Sequence, residues 1–382
     1  MKKSNFIILL STLFPFLGFI QMNLVGVLGS FISGTITQSQ AFNLCSVYII
    51  SDALFLIPVG RWLDKFSLNR VISFGVAVFS FGEFLFAIGL GKYDIMVIAR
   101  VLMGIGHAFA LMSVFRLISN QIQASHQAKW ISLTLSIAFL GGFFAQGPLA
   151  ILLTNLGIQE VFYLLFIMSV LLGVVLFIHI PRHMDQKDVS HKATLQFNLV
   201  INKNNLLCAI FITMLDLPVM VIGALLGINL LMYHGVDLVQ ASNINGMIYI
   251  GTILGAITFS VWGYRVKNKV NLIIVCLILV IVMLILMMFK LNLKTYYSIF
   301  LFSGFFSSIQ ALGYDLVNKM NPANLVSSSM AVVNVLLMMF TGIVQFLINN
   351  VYVYSQRLGI CTVVALLFLG IFLGVGLYRK HF

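Results

Sequence analysis

Two ionisable side chains lie seven residues apart in the apolar run "ARVLMGIGHAFA" at 99–110: Arg100 and His107. On a helix this spacing leaves them about 20° apart, on one face. A guanidinium in hydrocarbon costs about 2.5 to 3.5 kcal/mol on insertion scales, so it requires a partner, a water-filled cavity or an anionic substrate. We therefore expect Arg100 to face a hydrated path, where it holds an anionic group or influences a nearby proton. His107, which titrates near neutral pH, is a second candidate, although a lone histidine in a helix is often only hydrogen-bonded.

Glu83, in the preceding apolar run, is the candidate partner of Arg100. Counting helical rise from the loop between the two runs, Glu83 lies about 12 Å and Arg100 about 9 Å from the same membrane face. A fixed Glu83–Arg100 ion pair is therefore the alternative interpretation of the buried cation.

Two more acids lie near the middle of apolar runs: Asp52, and Asp216 just before Pro218. Burial favours the neutral form of a carboxyl and a nearby cation favours the charged form, so an acid that moves between such environments loads and releases a proton. Proton or substrate binding is the functional interpretation of both. The alternatives are helix packing for Asp52 and satisfaction of the proline kink for Asp216.

Neutral polar residues recur at helical spacing in several apolar runs, which is the pattern expected of helices that line a wet cavity. The alternative is hydrogen bonding between helices, worth about 0.6 to 2 kcal/mol per contact. The candidates are Asn23 in the first run, Gln310 and Tyr314 in the tenth, and Asn334, Thr341 and Gln345 in the eleventh.

These side chains must be positioned by membrane-spanning helices, because 61% of the 382 residues are hydrophobic and only 8% are charged. A span needs about 20 apolar residues to cross about 30 Å of hydrocarbon. The sequence predicts an all-α integral membrane protein with twelve spans, at 6–30, 42–60, 71–91, 95–116, 131–154, 159–180, 206–232, 241–263, 270–289, 296–317, 327–349 and 356–378.

The distribution of the net charge of +12 indicates orientation rather than nucleic-acid binding. With both termini inside, seventeen of the 22 Lys and Arg residues fall in cytoplasmic segments, four fall outside, and Arg100 is within a span. Cytoplasmic loops carry such an excess in membrane proteins. We expect a multi-pass, monomeric protein of the cell inner membrane, with both termini cytoplasmic, whose partners are the lipid bilayer and a small molecule.

The longest polar interruption, at 181–205, divides the predicted spans into six and six. It predicts an N-terminal bundle at 1–180, a cytoplasmic linker loop at 181–205 and a C-terminal bundle at 206–382. Transporters are often built from such repeats, and the short basic loops "GRWLDKFSLNR" at 60–70 and "SVWGYRVKNKV" at 260–270 are a weak internal echo.

The stretch "PVGRWLDKFSLNRV" contains a glycine, an acid four residues later, and spaced basic residues: Gly60, Asp64, Lys65 and Arg70. It resembles the signature loop of the major facilitator superfamily (MFS). The segments "RVLMGIGHA" and "GGFFAQGP" are similar to the family's patterns in the fourth and fifth helices. The resemblance implies the MFS fold of two six-helix bundles that rock in alternating access. It also implies a gating role for Gly60, Asp64, Lys65 and Arg70 as a cytoplasmic latch.

The chain departs from the family pattern in two places. Leu149, Ala150 and Ile151 follow Pro148 where antiporters have a glycine pair, and Tyr264 stands where the second-half loop would have its acid. The first departure weakens assignment as a drug antiporter, and the second predicts a weaker latch in the C-terminal half.

The combined interpretation is a secondary active transporter for a small solute, such as an organic anion or acidic metabolite, coupled to protons. One alternative is a proton-driven exporter of drugs or siderophore-like compounds, and one from another class is a membrane enzyme or a non-transporting receptor. The sequence has no nucleotide-binding glycine loop with its lysine and no metal-ligand spacing among its four cysteines. We expect no cofactor, no metal and no enzymatic activity.

Overall fold

The computed structural model describes residues 3–32, 34–180, 202–262, 266, 269–321 and 326–381. Every regular element in these ranges is a helix, as expected where lipid forces each backbone N–H and C=O to be satisfied within its own segment. The chain divides into two compact units, Met1–Lys192 (unit 1) and Ala193–Phe382 (unit 2). Of the predicted linker at 181–205, residues 181–201 lie outside the described residues.

The described part of unit 1 contains nine α-helices. They are α1 (Lys3–Ser11), α2 (Leu13–Asn23), α3 (Val25–Ile32), α4 (Gln38–Lys65), α5 (Leu68–Ile88), α6 (Tyr93–Gln121), α7 (Ala124–Phe144), α8 (Gly147–Leu156) and α9 (Ile158–His179). Helix α6 packs against both α4 and α5, so its residues form the core of the unit.

The described part of unit 2 contains eight α-helices and one π-helical segment. They are α10 (Lys203–Leu217), the π-helical segment (Pro218–Leu226), α11 (Gly227–Tyr233), α12 (Leu238–Trp262), α13 (Lys269–Met287), α14 (Leu293–Ser307), α15 (Gln310–Met320), α16 (Val326–Tyr354) and α17 (Gln356–His381). Helix α10 packs against α15, α16 and α17, whereas α12 packs mainly against α14.

Nine helices in the described ranges are long and apolar enough to cross a membrane, or ten if a bent pair counts as one span. A shorter apolar helix covers Asn271–Met287. The predicted tenth span, 296–317, is divided between α14 and α15. The total of twelve spans and the cytoplasmic location of both termini therefore remain predictions.

Several predicted spans are interrupted, and proline accounts for the interruptions in three of them. In the first span α1 ends at Ser11, the residue whose carbonyl would accept from position 15, but Pro15 has no N–H and its ring crowds that carbonyl. In the fifth span, Lys129–Phe144 and Gly147–Leu156 meet at 44°, with Pro148 at the start of the second piece. In the seventh span the π-helical segment begins at Pro218, which removes the hydrogen bond to the carbonyl of Met214.

Candidate functional site

Helix α6 carries both residues of the opening motif into the core of unit 1. Arg100 is 1% exposed and His107 is 3% exposed. Their neighbours come from helices far away in the chain, because α4 and α2 both pack on α6. The sequence predicted that the two side chains share one helix face and that Arg100 faces a hydrated path, whereas in this structure protein encloses both side chains.

Neutral groups surround the Arg100 guanidinium. Its Nε donates to the Leu44 carbonyl at 3.1 Å, and its Nη1 donates to the Gln21 carbonyl at 2.8 Å. Its Cζ lies 4.5 Å from the centroid of the Tyr48 ring, a cation–π contact. Nη2 is buried without a hydrogen-bond partner in the described part of the chain. The cation is thus held in position, but no carboxylate there neutralises it.

The Gln21 side chain lies between Arg100 and Glu83. Its Nε2 donates to Glu83 Oε1 at 2.8 Å, and its Oε1 lies 3.5 Å from Arg100 Nη1. Glu83 is fully buried, and the Ser169 side chain also interacts with its carboxyl. A direct Glu83–Arg100 ion pair does not form within 4.0 Å there, since the only ion pair found in those ranges joins His107 and Asp52. The alternative prediction, a fixed Glu83–Arg100 ion pair, is therefore not observed in the described residues. The Gln21 amide lies between the two side chains instead.

Gln21 was missed in the sequence interpretation. The available signal was an amide within the apolar run "GFIQMN" at 18–23, because an amide in hydrocarbon requires a hydrogen-bond partner.

Asp52 of α4 and His107 of α6 form a buried pair. Asp52 Oδ2 lies 3.2 Å from His107 Nδ1, and both side chains are 3% exposed. The Tyr48 and Phe19 rings lie 5.6 Å and 5.9 Å from the imidazole. His107 Nε2 is buried with no partner in the described ranges. His107 is therefore not a lone histidine, and a single proton added to or removed from this pair changes its charge in a dry environment.

Close backbone approach positions the pair. A β-carbon at Gly104 would collide with the Tyr48 carbonyl oxygen and lie 2.9 Å from the Ser51 side chain. A β-carbon at Gly18 of α2 would collide with the His107 ring, and the Tyr48 hydroxyl donates to the Gly18 carbonyl at 2.9 Å. Only glycine permits these helices to approach so closely.

Asn23, another predicted site residue, is tied to neighbouring backbone in unit 1. Its Nδ2 donates to the Phe19 carbonyl at 2.8 Å, and its own carbonyl accepts from Gln146 Nε2 at 2.9 Å. These contacts join α2 to the bend between α7 and α8.

In unit 2, the structure places the predicted acid among neutral polar residues. Asp216, in the last turn of α10, is 3% exposed. The Gln310 side chain approaches its carboxyl as a hydrogen-bond donor. Tyr314 lies close enough to interact electrostatically with Asp216, and its hydroxyl donates to Asn334 Oδ1 at 3.2 Å. The polar residues predicted to line a cavity in the tenth and eleventh runs therefore lie together near Asp216.

Helix α16 supplies the rest of this region. Gln345 Nε2 donates to the Met220 carbonyl at 2.5 Å, and Asn245 Nδ2 of α12 donates to the Gly223 carbonyl at 2.6 Å. Both carbonyls belong to the π-helical segment, so side-chain amides from two helices satisfy backbone groups there. Thr341, one turn before Gln345, is fully buried.

The predicted gating residues lie where α4 ends and α5 begins. Lys65 and Arg70 are exposed, and a β-carbon at Gly60 would lie 3.4 Å from the Met112 methyl. Asp64 lies within α4, but its side chain is outside the described part. The gating role of this set stays a prediction.

Comparison with known proteins gives a consistent result. The sequence profile of the Major Facilitator Superfamily matches residues 8–345. The fold is similar to the crystal structure of a bacterial homologue of the human lysosomal transporter Spinster, with a TM-score of 0.76, 15% identity, and coverage of 100% of this chain and 98% of that one.

Two curated relatives match shorter segments. Multidrug resistance protein 2 of Bacillus subtilis is 30% identical over 155 residues, which is 39% of this chain and 38% of the relative. The chloroplastic ascorbate transporter of Arabidopsis thaliana is 31% identical over 136 residues, which is 33% of this chain and 25% of the relative. The matched segments thus span well under half of each relative.

Proposed function

The chain belongs to the major facilitator superfamily of membrane transporters, and from that premise we propose that it moves a small solute bearing an acidic group, by proton-coupled alternating access. The family is one of transporters rather than enzymes. The apolar helices of this chain make it a multi-pass membrane protein. Location in the cell inner membrane and a monomeric state are part of the proposal.

The observation that carries the proposal is the buried Arg100 with no carboxylate beside it in the described residues. Two carbonyls and an aromatic ring orient the guanidinium without cancelling its charge, and Nη2 remains available as a donor. A carboxylate or phosphate bound there would gain charge-assisted hydrogen bonds that neutral ligands lack. Because Arg100 is 1% exposed, substrate reaches it only in another conformation, as alternating access requires.

The Asp52–His107 pair supports coupling to protons. The two side chains form a buried acid–base contact at 3.2 Å, which can gain or lose a proton when another conformation opens it to water. The Tyr48 ring contacts both the Arg100 guanidinium and the His107 imidazole. A substrate anion on Arg100 would reduce the repulsion between that cation and a protonated His107, so binding of the anion favours uptake of a proton.

The test is transport by the purified protein in liposomes. Candidate carboxylates, together with ascorbate as an organic anion that lacks a carboxyl group, are first screened for thermal stabilisation, since a ligand that binds the native state raises its stability. A carboxylate that stabilises the protein is expected to show counterflow, and an imposed pH gradient is expected to drive its accumulation.

Arg100→Ala is expected to abolish counterflow, with Arg100→Lys, which retains the charge, as the control. Folding of both variants is checked by size-exclusion chromatography. Undiminished counterflow in Arg100→Ala would contradict the assignment of Arg100. Accumulation indifferent to the pH gradient would remove proton coupling.

Export of drug-like compounds is the second candidate, favoured by the similarity to Multidrug resistance protein 2. Edge-to-face pairs Phe16–Phe144 and Phe19–Phe139 between α2 and α7 form an aromatic cluster, and aromatic rings attract flat apolar cations. Efflux of ethidium that persists in Arg100→Ala, without counterflow of any carboxylate, would favour this candidate.

A further inference from the structure

Asp216 is a buried acid without a basic partner in the described part of unit 2. It is 3% exposed, and no Lys, Arg or His nitrogen in those ranges lies within 4.0 Å of its carboxyl. An isolated carboxylate is too costly to bury, so it requires either a proton or a cation. The surrounding groups distinguish between these two.

Two hydrogen bonds define the register of α10 and its π-helical continuation against α16. Thr213 Oγ1 lies 3.5 Å from the Leu337 carbonyl, and Gln345 Nε2 lies 2.5 Å from the Met220 carbonyl. Between these contacts, Asp216 is about 4.5 Å along the axis from Thr213, and Thr341 is about 6 Å along from Leu337. Asp216 and Thr341 therefore occupy the same level of the interface, one turn before Gln345.

The polar atoms without partners at this level are oxygens. Asp216 Oδ1, Thr341 Oγ1 and Gln345 Oε1 are all buried, and none has a hydrogen-bond partner in the ranges that the structure describes. A proton on Asp216 would supply one hydrogen bond and satisfy one acceptor. A cation binds several oxygens at once, so the set of oxygens matches a cation better than a proton.

Helix geometry points to the same place. The π-helical segment begins two residues after Asp216, and the break between α14 and α15, at Ser308–Ile309, directly precedes Gln310. Interrupted helices at membrane depth form the coupling-ion sites of many transporters, because their backbone carbonyls are released from regular pairing. Two interrupted helices thus meet at one carboxylate that has no basic partner within 4.0 Å in the described ranges.

We propose that Asp216, Thr341 and Gln345 form a binding site for an alkali-metal cation, with sodium as the principal occupant. A single carboxylate with neutral oxygens suits a monovalent ion, whereas calcium sites usually contain several carboxylates. The site lies within unit 2 and goes beyond the proposed proton coupling, because it would make transport responsive to a second gradient.

The experiment measures thermal unfolding of the full-length protein in detergent at constant pH and ionic strength. Sodium chloride is titrated against choline chloride, with potassium chloride as a parallel arm. We expect a saturable rise in Tm with sodium that choline does not produce, because an ion that binds only the native state stabilises it. A smaller or equal rise with potassium also supports an alkali-cation site.

Asp216→Asn is expected to remove the cation-specific rise. Thr341→Val, which preserves shape, is expected to raise the sodium concentration for half-maximal stabilisation about tenfold, since a contact to a charged group is worth about that factor. Thr252→Val in α12 is the matched control, since within the described residues the Thr252 hydroxyl bonds helix carbonyls, at Ile248 and Gly304. If Asp216→Asn does not fold, the comparison of sodium stabilisation in Thr341→Val with that in Thr252→Val tests the proposal by itself.

Equal stabilisation by all three salts overturns the proposal, as does a sodium effect that survives in Thr341→Val unchanged. Stabilisation by acid without any cation dependence would assign Asp216 to a proton instead. The assay requires no transport, so sodium binding without counterflow would refute the proposed function alone, and counterflow without sodium binding would refute this site alone.

Discussion

The two units bury their ionisable residues in opposite ways. In unit 1, acids and bases are present together: Asp52 contacts His107, and Gln21 bridges Glu83 and Arg100. In unit 2, the described residues include one buried acid, Asp216, and its neighbours are neutral oxygens and amides. Unit 1 therefore places basic groups near its buried acids, whereas the buried carboxylate of unit 2 has no basic group within 4.0 Å in the described residues, and the proposed sodium ion would compensate it.

The largest expected difference in stability between the two units follows removal of the buried acid from each. Asp52→Ala is expected to destabilise the protein by about 3–5 kcal/mol, because it leaves the partner of a buried pair unsatisfied. Asp216→Asn should instead stabilise the protein when sodium is replaced by choline, because it removes an uncompensated charge. Both free energies come from denaturant unfolding of the detergent-solubilised protein. Equal losses in both variants would erase the distinction between the units.

The side-chain amides of Gln21 and Gln345 provide a second comparison, in which the expected losses of stability are smaller. Gln21→Leu is expected to cost about 2–3 kcal/mol, since it leaves the fully buried Glu83 Oε1 without the Gln21 amide that donates to it. Gln345→Leu should cost about 1 kcal/mol, since it removes a bond between neutral groups, the Gln345 amide and the Met220 carbonyl. The measurement is the shift in unfolding midpoint. A larger loss from Gln345→Leu would indicate that the π-helical segment, not the ionic set, is the more constrained region.

Glycine contacts in unit 1 test how rigidly the pair is positioned. Gly104→Ala should cost about 1–3 kcal/mol and weaken the Asp52–His107 contact, because the opposing Tyr48 carbonyl is backbone and cannot move aside. Gly60→Ala is the control and should change stability by less than about 0.5 kcal/mol, since the facing Met112 methyl ends a flexible side chain. If Gly60→Ala nevertheless lowers transport, the cause would be gating rather than packing.

The smallest effect concerns His234, which follows the seventh span in unit 2 and, unlike His107, has no carboxylate within 4.0 Å in the described residues. Partial burial, together with Arg357 and Lys290, lowers the pKa of this imidazole below its usual value. The unfolded chain then binds a proton more readily than the folded one, so stability should fall slightly as pH drops through about 6.5. His234→Gln should reduce that loss, as measured by Tm between pH 7.5 and about 5.5. An identical pH profile in the variant would argue against any role of His234.

The sequence alone was sufficient for the membrane class, the family and the location of Arg100, His107, Asp52 and Asp216 within apolar helices, although it predicted a hydrated path beside them rather than burial. These inferences depend on the cost of placing polar groups in hydrocarbon and on the 3.6-residue period, both of which act within a single helix. The sequence also contained the prolines that interrupt the first, fifth and seventh spans, although the π-helical form of the segment after Pro218 could not be predicted from them.

The partners of these residues were decided by tertiary structure. His107 meets Asp52 across 55 residues of sequence, Gln21 reaches Glu83 across 62, and Gln345 reaches Met220 across 125. No local pattern encodes such contacts, because they depend on which helices pack together and on where glycines such as Gly104 allow two backbones to approach. Composition and periodicity determine that a charge is buried, whereas only the packed helices determine which group lies beside it.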